Sequence, residues 1–197
     1  MLTTRDHQDL GSSLCTLGGV GAAHFFHTKH QDPDNSRHVR DDQDTTIVSW
    51  PNYHSGSNGD YQRISLVEPV HELLLNPANA SGMVEYFPAH PHEGDVGVPD
   101  GEQHARVIAT GTSKVTGRKF NLIVAFERAN DEHGNSLGRA IAESSFHHLV
   151  DYNWDVSLGC PSFLLEPPGN QIRREPEKLG DIKTYVSNVA RWLRPVN

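Results

Sequence analysis

Residues 120–126, Phe-Asn-Leu-Ile-Val-Ala-Phe, decide the fold, because they end in the longest apolar run of the chain. Such a run is typical of a strand that is buried on both faces of a sheet. A second strand is predicted at Arg106–Gly111. The five residues Lys114–Arg118 between the two strands predict a β-hairpin with Gly117 at the turn.

The chain ends in an amphipathic pattern that predicts a helix packed on this sheet. Asp181 is its predicted N-cap, and Pro195 would end it. Apolar residues spaced by three and four form the predicted buried stripe: Leu179, Ile182, Val186, Val189 and Leu193, with Tyr185 and Trp192 on its flanks. Two further strands of the sheet are predicted at Met83–Phe87 and Arg139–Ala142.

Alternating strands and helices predict one three-layer α/β domain over residues 1–197. A short strand at Leu2–Thr4, a helix at Asp9–Leu17 and a short helix at Glu68–Leu75 belong to this pattern, and residues 31–45 are a polar loop excursion. A sheet of this class contains several βα units, and none precedes Leu2. We therefore expect an N-terminally shortened domain that self-associates through uncovered apolar surface.

Composition restricts the classes of partner. The 197 residues carry 17 Lys and Arg against 25 Asp and Glu, a formal net charge of −8, so a nucleic-acid partner is not expected. The longest apolar run is far shorter than a membrane span, and the first residues lack a signal-peptide core. Cys15 and Cys160 are too few for a disulfide framework. These features predict a cytoplasmic protein that binds a small molecule and no membrane.

The first candidate group is Asp6-His7, which follows the predicted opening strand. Strand-to-helix turns present side chains at the carboxyl edge of an α/β sheet, where such folds place their active sites. Asp6 and His7 are therefore candidate catalytic residues. The alternative is that Asp6 or Asp9 only caps the helix that follows.

A second group lies in the loop Trp50–Tyr61, which combines aromatic rings, amides and a histidine. This composition suits recognition of a hydroxylated ligand, so Tyr53, His54 and Asn58 are candidate substrate-binding residues. A turn-rich surface loop without a ligand is the alternative.

The third group, Phe87–Asp95, follows a predicted strand and contains His90, His92 and Glu93. Two imidazoles beside a carboxylate can supply a base and its orienting group. We assign His92 and Glu93 catalytic roles and His90 a substrate-binding role. Metal binding is a secondary interpretation, because Pro91 excludes the helical geometry of H-E-x-x-H sites. No metal or other cofactor is predicted.

The fourth group follows the strand Arg139–Ala142. His147 lies about one helical turn before Asp151, the spacing of a base and its orienting carboxylate, so His147 is a candidate catalytic residue. Ser145, His148 and Asp151 are candidate substrate-binding residues. The alternative for one of the two histidines is a ring that packs under the loop and bonds to the backbone.

Two segments carry a resemblance to a known family. They are residues 138–148, Gly-Arg-Ala-Ile-Ala-Glu-Ser-Ser-Phe-His-His, and the closing pattern Asn188-x-x-x-Trp192-Leu193. On these motifs, and on Asp6-His7 and Phe87–Gly94 at cleft positions, the chain resembles the ThuA-like branch of the class I glutamine amidotransferase-like superfamily. The resemblance implies a flavodoxin-like mixed sheet with helices on both faces. The cysteine nucleophile of amidotransferases has no counterpart at the Asp6-His7 turn, so glutaminase activity is not implied.

Members of the ThuA-like group are often linked to sugar metabolism, so the resemblance implies a cleft for a polar small molecule. Together with the histidine groups it predicts a hydrolase-like protein that acts on a carbohydrate-like or amide-containing substrate by His and carboxylate acid-base chemistry. The alternative is a catalytically inert binding or interaction module on the same fold.

Overall fold

The computed structural model describes residues 2–3, 53–98, 103–130 and 133–194. Within these residues the protein has a mixed α/β architecture. The strands, in chain order, are β1 Leu2–Thr3, β2 Tyr61–Arg63, β3 Ser65–Leu66, β4 Tyr86–Pro88, β5 Ala105–Thr112, β6 Lys119–Phe126, β7 Ala129–Asn130, β8 Ser136–Leu137 and β9 Ala140–Glu143. The α-helices are α1 Asp151–Trp154, α2 Gln171–Arg174 and α3 Leu179–Trp192. Short 3₁₀ turns lie at Glu72–Leu74, His147–Leu149, Val156–Leu158, Pro161–Leu164 and Pro176–Lys178.

The described strands form one main sheet in the order β1-β9-β6-β5-β3. Strands β1 and β9 run parallel, with Thr3 opposite Glu143, and the other neighbours are antiparallel. Strand β6 lies in the middle of this order, and its residues Phe120–Phe126 are all buried, as the apolar run predicts. The β5–β6 hairpin is confirmed, with Gly117 at a φ of +73°, a backbone conformation that favours glycine.

The strand predicted at Met83–Phe87 begins later than expected and lies elsewhere. Strand β4 pairs with β2 in a separate two-stranded sheet, so its predicted place in the main sheet is wrong. The backbone N–H groups of Glu85 and Tyr86 both donate to Asp181 Oδ2 at 2.9 Å. The carboxylate of Asp181 therefore accepts the N–H groups at the start of β4, and pairing with β2 covers Tyr86–Pro88.

The helix predicted at Glu68–Leu75 is reduced to the 3₁₀ turn Glu72–Leu74. His71 caps this turn, because its Nδ1 accepts the N–H of Leu73 at 3.2 Å. Leu75 is already extended and forms a β-bridge with Met83. The predicted helix at Asp9–Leu17 and the polar loop 31–45 lie outside the described residues.

Helix α3 packs on the core, but on a face rotated from the predicted one. Its buried side chains include Leu179, Ile182, Tyr185, Val189 and Trp192. Val186, predicted in the stripe, is 39 % exposed. The large aromatic rings occupy the buried face because burial of their surface contributes more than burial of a valine.

Asp181 is not the N-cap of α3, since Lys178 holds that position. Its buried carboxylate lies inside the first turn, where Oδ1 accepts the side-chain amides of Asn76 at 2.7 Å and Asn79 at 2.6 Å. Together with the two N–H groups that Oδ2 accepts, these bonds join the start of α3 to β4 and to the loop before it. None of the described helices is long and apolar enough to cross a membrane.

Candidate functional site

Three of the predicted motifs meet around Glu93. The peptide groups of Tyr53 and Glu93 exchange two hydrogen bonds, at 3.0 and 2.9 Å, which joins the loop after residue 52 to the segment after β4. The next residue, Gly94, donates its N–H to the carbonyl of Ser144 at 3.1 Å. Ser144 follows β9 directly, so the backbone itself brings the second, third and fourth candidate groups together.

The carboxylate of Glu93 is completely buried and is surrounded by donors. Its Oε1 accepts the hydroxyl of Ser55 at 2.9 Å and the side-chain amide of Gln62 at 3.0 Å. Its Oε2 accepts the hydroxyl of Ser144 at 3.1 Å and lies 3.3 Å from Nε2 of His148. A buried carboxylate is stable only with such a set of partners, because desolvation of an unpaired charge is very costly.

His148 is the charged partner of Glu93. Its ring is 1 % exposed, and Nδ1 donates to the carbonyl of Pro88 at 2.9 Å while Nε2 faces the carboxylate. Burial alone would lower the pKa of His148, but the facing charge of Glu93 outweighs it and raises the pKa to about 9. Both ring nitrogens therefore carry protons at neutral pH, and His148 is an imidazolium rather than a base.

A second buried acid lies one residue before Ser144. Glu143 accepts the hydroxyl of Tyr185 from α3 at 2.6 Å. Burial raises the pKa of Glu143, and burial together with the nearby carboxylate raises that of Tyr185 well above its ordinary value. The raised pKa means that burial opposes ionisation of Glu143 more than its hydrogen bond to Tyr185 favours it.

Beside this charged pair lies a cluster of three imidazoles. The rings of His90 and His147 are stacked with centroids 3.5 Å apart and planes 7° apart, and the ring of His92 is 5.7 Å from that of His90. Burial lowers the pKa of His90 well below its ordinary value, and the neighbouring His147 lowers it further. His90 is therefore neutral at physiological pH, which allows the two rings to stack closely.

The partner of His147 differs from the predicted one. Its Nδ1 lies 2.6 Å from the hydroxyl of Tyr152, whereas Asp151 is exposed and accepts the backbone N–H of Tyr152 at 2.7 Å. Helix α1 begins at Asp151, so the turn directs the aromatic residue toward the imidazole. On the same helix, the Asn153 side chain donates to the carbonyls of Ala89 and His147 at 2.9 and 3.0 Å. Asn153 thus fixes the two segments that carry the stacked rings.

The loop after residue 52 contributes a further acid and imidazole pair. His54 Nε2 lies 2.8 Å from Glu166 Oε1, which also accepts the hydroxyl of Ser57 at 2.9 Å. The other two residues predicted in this loop are in the interior. Tyr53 is fully buried and stacks on Phe120 with ring centroids 4.8 Å apart, and Asn58 is 1 % exposed.

The last candidate residues are Ser145, Asp6 and His7. The hydroxyl of Ser145 accepts the N–H of His147 at 3.1 Å, so it shapes the turn into the 3₁₀ segment. Asp6 and His7 lie outside the described residues, although Thr3 pairs with Glu143 at the start of the fourth motif. No group of three or more His, Cys, Asp or Glu side chains suited to a metal ion occurs among the residues that the structure describes.

Sequence reasoning missed the residues that surround the named histidines and carboxylate. They are Ser55, Gln62, Ser144, Tyr152, Glu166 and Tyr185. Ser144 and Tyr152 stand within the fourth motif, and Ser55 within the loop motif, so their polar side chains were a usable signal. Glu166 and Tyr185 lie more than 100 and more than 40 residues from their partners His54 and Glu143, and nothing local marks them.

Comparison with protein-family models, with curated proteins and with solved structures finds no match. The function is therefore argued from the geometry of the site.

Proposed function

We propose that the protein is a small-molecule enzyme that acts by acid-base chemistry at the imidazole cluster of His90, His92 and His147. The observation that carries this proposal is the convergence of the third and fourth motifs, with the rings of His90 and His147 stacked at 3.5 Å. Imidazoles are the side chains best suited to proton transfer near neutral pH. In this proposal His147 and His92 exchange protons with the substrate.

Glu93 supports the backbone of the imidazole cluster through Ser55. Its carboxylate accepts the hydroxyl of Ser55, and the same Ser55 oxygen accepts the N–H of His90 at 2.9 Å. The positive charge of His148 balances the negative charge of Glu93 in the interior. Asp6 and His7 are proposed to complete the site, since the strand before them is parallel to β9.

The proposed substrate is a carbohydrate-like or amide-containing molecule, and the proposed family is the ThuA-like branch of the class I glutamine amidotransferase-like superfamily. The parallel pair β1 and β9 supports this assignment, because parallel strands open at a common carboxyl edge. The finer three-layer arrangement, with helices on both faces, belongs to the same proposal.

The test is a screen of the purified protein against glycosides, amides and esters, followed by His147→Ala on any substrate that turns over. We expect the substitution to reduce kcat/KM by about 10²- to 10⁴-fold while the protein remains folded. His133→Ala, in an exposed histidine, is the matched control and should leave the rate unchanged. Full activity in folded His147→Ala would contradict the proposal. Elemental analysis of the same sample tests the secondary metal hypothesis.

One observation favours the second candidate, a catalytically inert ligand-binding module. Glu93 already accepts three hydrogen bonds and is ion-paired with His148, which carries both of its protons at neutral pH, so neither is a ready base. This candidate predicts that glycosides or amides raise the melting temperature of the protein but are not converted into products. Turnover that is lost in His147→Ala excludes it.

A further inference from the structure

The bond between His147 and Tyr152 determines what the imidazole can offer a ligand. Tyr152 Oη lies 2.6 Å from His147 Nδ1. A neutral imidazole has one N–H and one bare nitrogen, and the partner of one nitrogen decides the state of the other. The hydroxyl of Tyr152 is thus in a position to select the tautomer.

The ring of His147 has little freedom to choose another arrangement. It is stacked between His90, at 3.5 Å, and Phe146, at 4.1 Å with planes 29° apart. Its carbonyl is held by the Asn153 side chain at 3.0 Å. Because stacking on both faces opposes rotation of the ring, Nδ1 remains directed at the hydroxyl.

Tyr152 is itself held in place. Its N–H donates to Asp151 Oδ1 at 2.7 Å, and its ring meets Phe163 edge to face with centroids 6.0 Å apart. The contact with His147 therefore joins two ordered groups, and little side-chain freedom remains to be lost when the bond forms.

We propose that Tyr152 is a positioning residue whose hydroxyl donates to Nδ1 of His147 and fixes the neutral ring as the Nε2–H tautomer. A phenol is a more acidic donor than a neutral imidazole, so the proton of a short bond between them belongs on oxygen.

The test is imidazole NMR of the full-length chain with ¹⁵N-labelled histidine, at about pH 8, where an unperturbed histidine is neutral. The resonances of His147 are assigned by their loss in His147→Gln. We expect a one-bond ¹⁵N–¹H coupling at Nε2 and none at Nδ1. Tyr152→Phe should shift the Nδ1 resonance, because the hydrogen bond to it is lost.

The matched control is Tyr61→Phe, which also removes a bonded hydroxyl, here the one that donates to the Glu175 carbonyl at 2.9 Å. It should leave the His147 resonances unchanged. A one-bond coupling at Nδ1 in the wild-type protein would overturn the proposal, and this result needs no variant to fold. An unchanged Nδ1 resonance in folded Tyr152→Phe would also overturn it. Loss of turnover is scored separately, so failure of the proposed function leaves this result standing.

Discussion

His148 and His90 are both almost completely buried, and both lie next to the same carboxylate-centred network, yet their pKa values move in opposite directions. That of His148 rises to about 9, because the charge of Glu93 overcomes the effect of burial. That of His90 falls well below its ordinary value, because burial is joined by the neighbouring imidazole of His147. Burial alone does not decide the charge of a histidine. The group that faces it does.

The difference separates two regions of the site. In the Glu93–His148 region, a charged pair lies in the interior, and both carboxylate oxygens of Glu93 have partners. The contribution of this region to stability therefore depends on keeping every partner. The imidazole cluster is held by stacking and by bonds to the backbone. We infer that the first region supports the site and that the second carries its chemistry, and the variants below separate the two.

The largest expected effect comes from breaking the charged pair. Glu93→Ala removes the charge that keeps the buried His148 protonated and leaves the donors Ser55, Gln62 and Ser144 without their acceptor, which should lower the free energy of unfolding by about 3–5 kcal/mol. The measurement is urea unfolding near neutral pH. Glu177→Ala, at an exposed residue, is the control and should change the unfolding free energy far less. A loss below about 1 kcal/mol in Glu93→Ala would mean that the pair is not a charged interior pair.

The next effect is a dependence of stability on pH. The folded pKa of His148, about 9, lies above its ordinary value of 6.5, so the folded state holds this proton more tightly than the unfolded state. The stabilisation is complete below about pH 6.5 and is lost as the pH rises to about 9, a decrease of about 3 kcal/mol. Unfolding across this range measures it.

His148→Gln serves as the reference for that experiment. The variant lacks the titrating ring, so its stability should change less between the same two pH values. The difference between the two proteins isolates His148 from Glu143, whose own raised pKa lowers stability as the pH increases. Parallel pH curves for both proteins would show that His148 does not carry the proton.

A smaller effect is expected from single donors to the carboxylate. Ser144→Ala removes one hydrogen bond to Glu93 and should cost about 1.5–3 kcal/mol, the usual range for a bond to a charged group. Ser187→Ala removes a hydroxyl that bonds to the Lys183 carbonyl on the exposed side of α3, and should cost much less. Equal losses of unfolding free energy in the two variants would show that the hydrogen bond from Ser144 to Glu93 contributes no more than one on the exposed surface.

A smaller effect on stability than that of Glu93→Ala is expected at the imidazole cluster. His147→Ala removes the stacking contacts with His90 and Phe146 and the hydrogen bond to Tyr152, which are worth about 1 kcal/mol each, and leaves the Glu93 pair intact. The melting temperature should therefore fall less than in Glu93→Ala, and under the proposed function turnover is lost. A destabilisation as large as that of Glu93→Ala would remove the distinction between the two regions.

Much of this arrangement follows from local sequence pattern. The apolar run 120–126 and the Gly117 turn identify the hairpin, because strand burial and a positive φ are properties of a few adjacent residues. Glu93 and His148 were named as site residues because both follow strands. Strand β4 was placed in the wrong sheet, since its partner strand β2 lies more than 20 residues earlier in the sequence.

The orienting residue of His147 could not be predicted by spacing alone. A separation of four residues favours Asp151 only if His147 begins a regular helix. The chain instead forms a 3₁₀ turn at His147–Leu149, becomes extended at Val150 and starts α1 at Asp151. This change of backbone direction turns Tyr152 toward the imidazole and leaves Asp151 in solvent. Similarly, the buried face of α3 is chosen by Tyr185, whose hydroxyl bonds to Glu143 on another element.

The most direct test of the account is an NMR pH titration that follows the side-chain resonances of His90 and His148 in the same ¹⁵N-labelled sample. Near neutral pH we expect two protonated nitrogens in His148 and one in His90, with His148 losing a proton only near pH 9 and His90 remaining neutral down to pH values well below 6.5. If both rings instead titrate together near 6.5, the opposite charge states of the two regions, and the division of roles drawn from them, are contradicted.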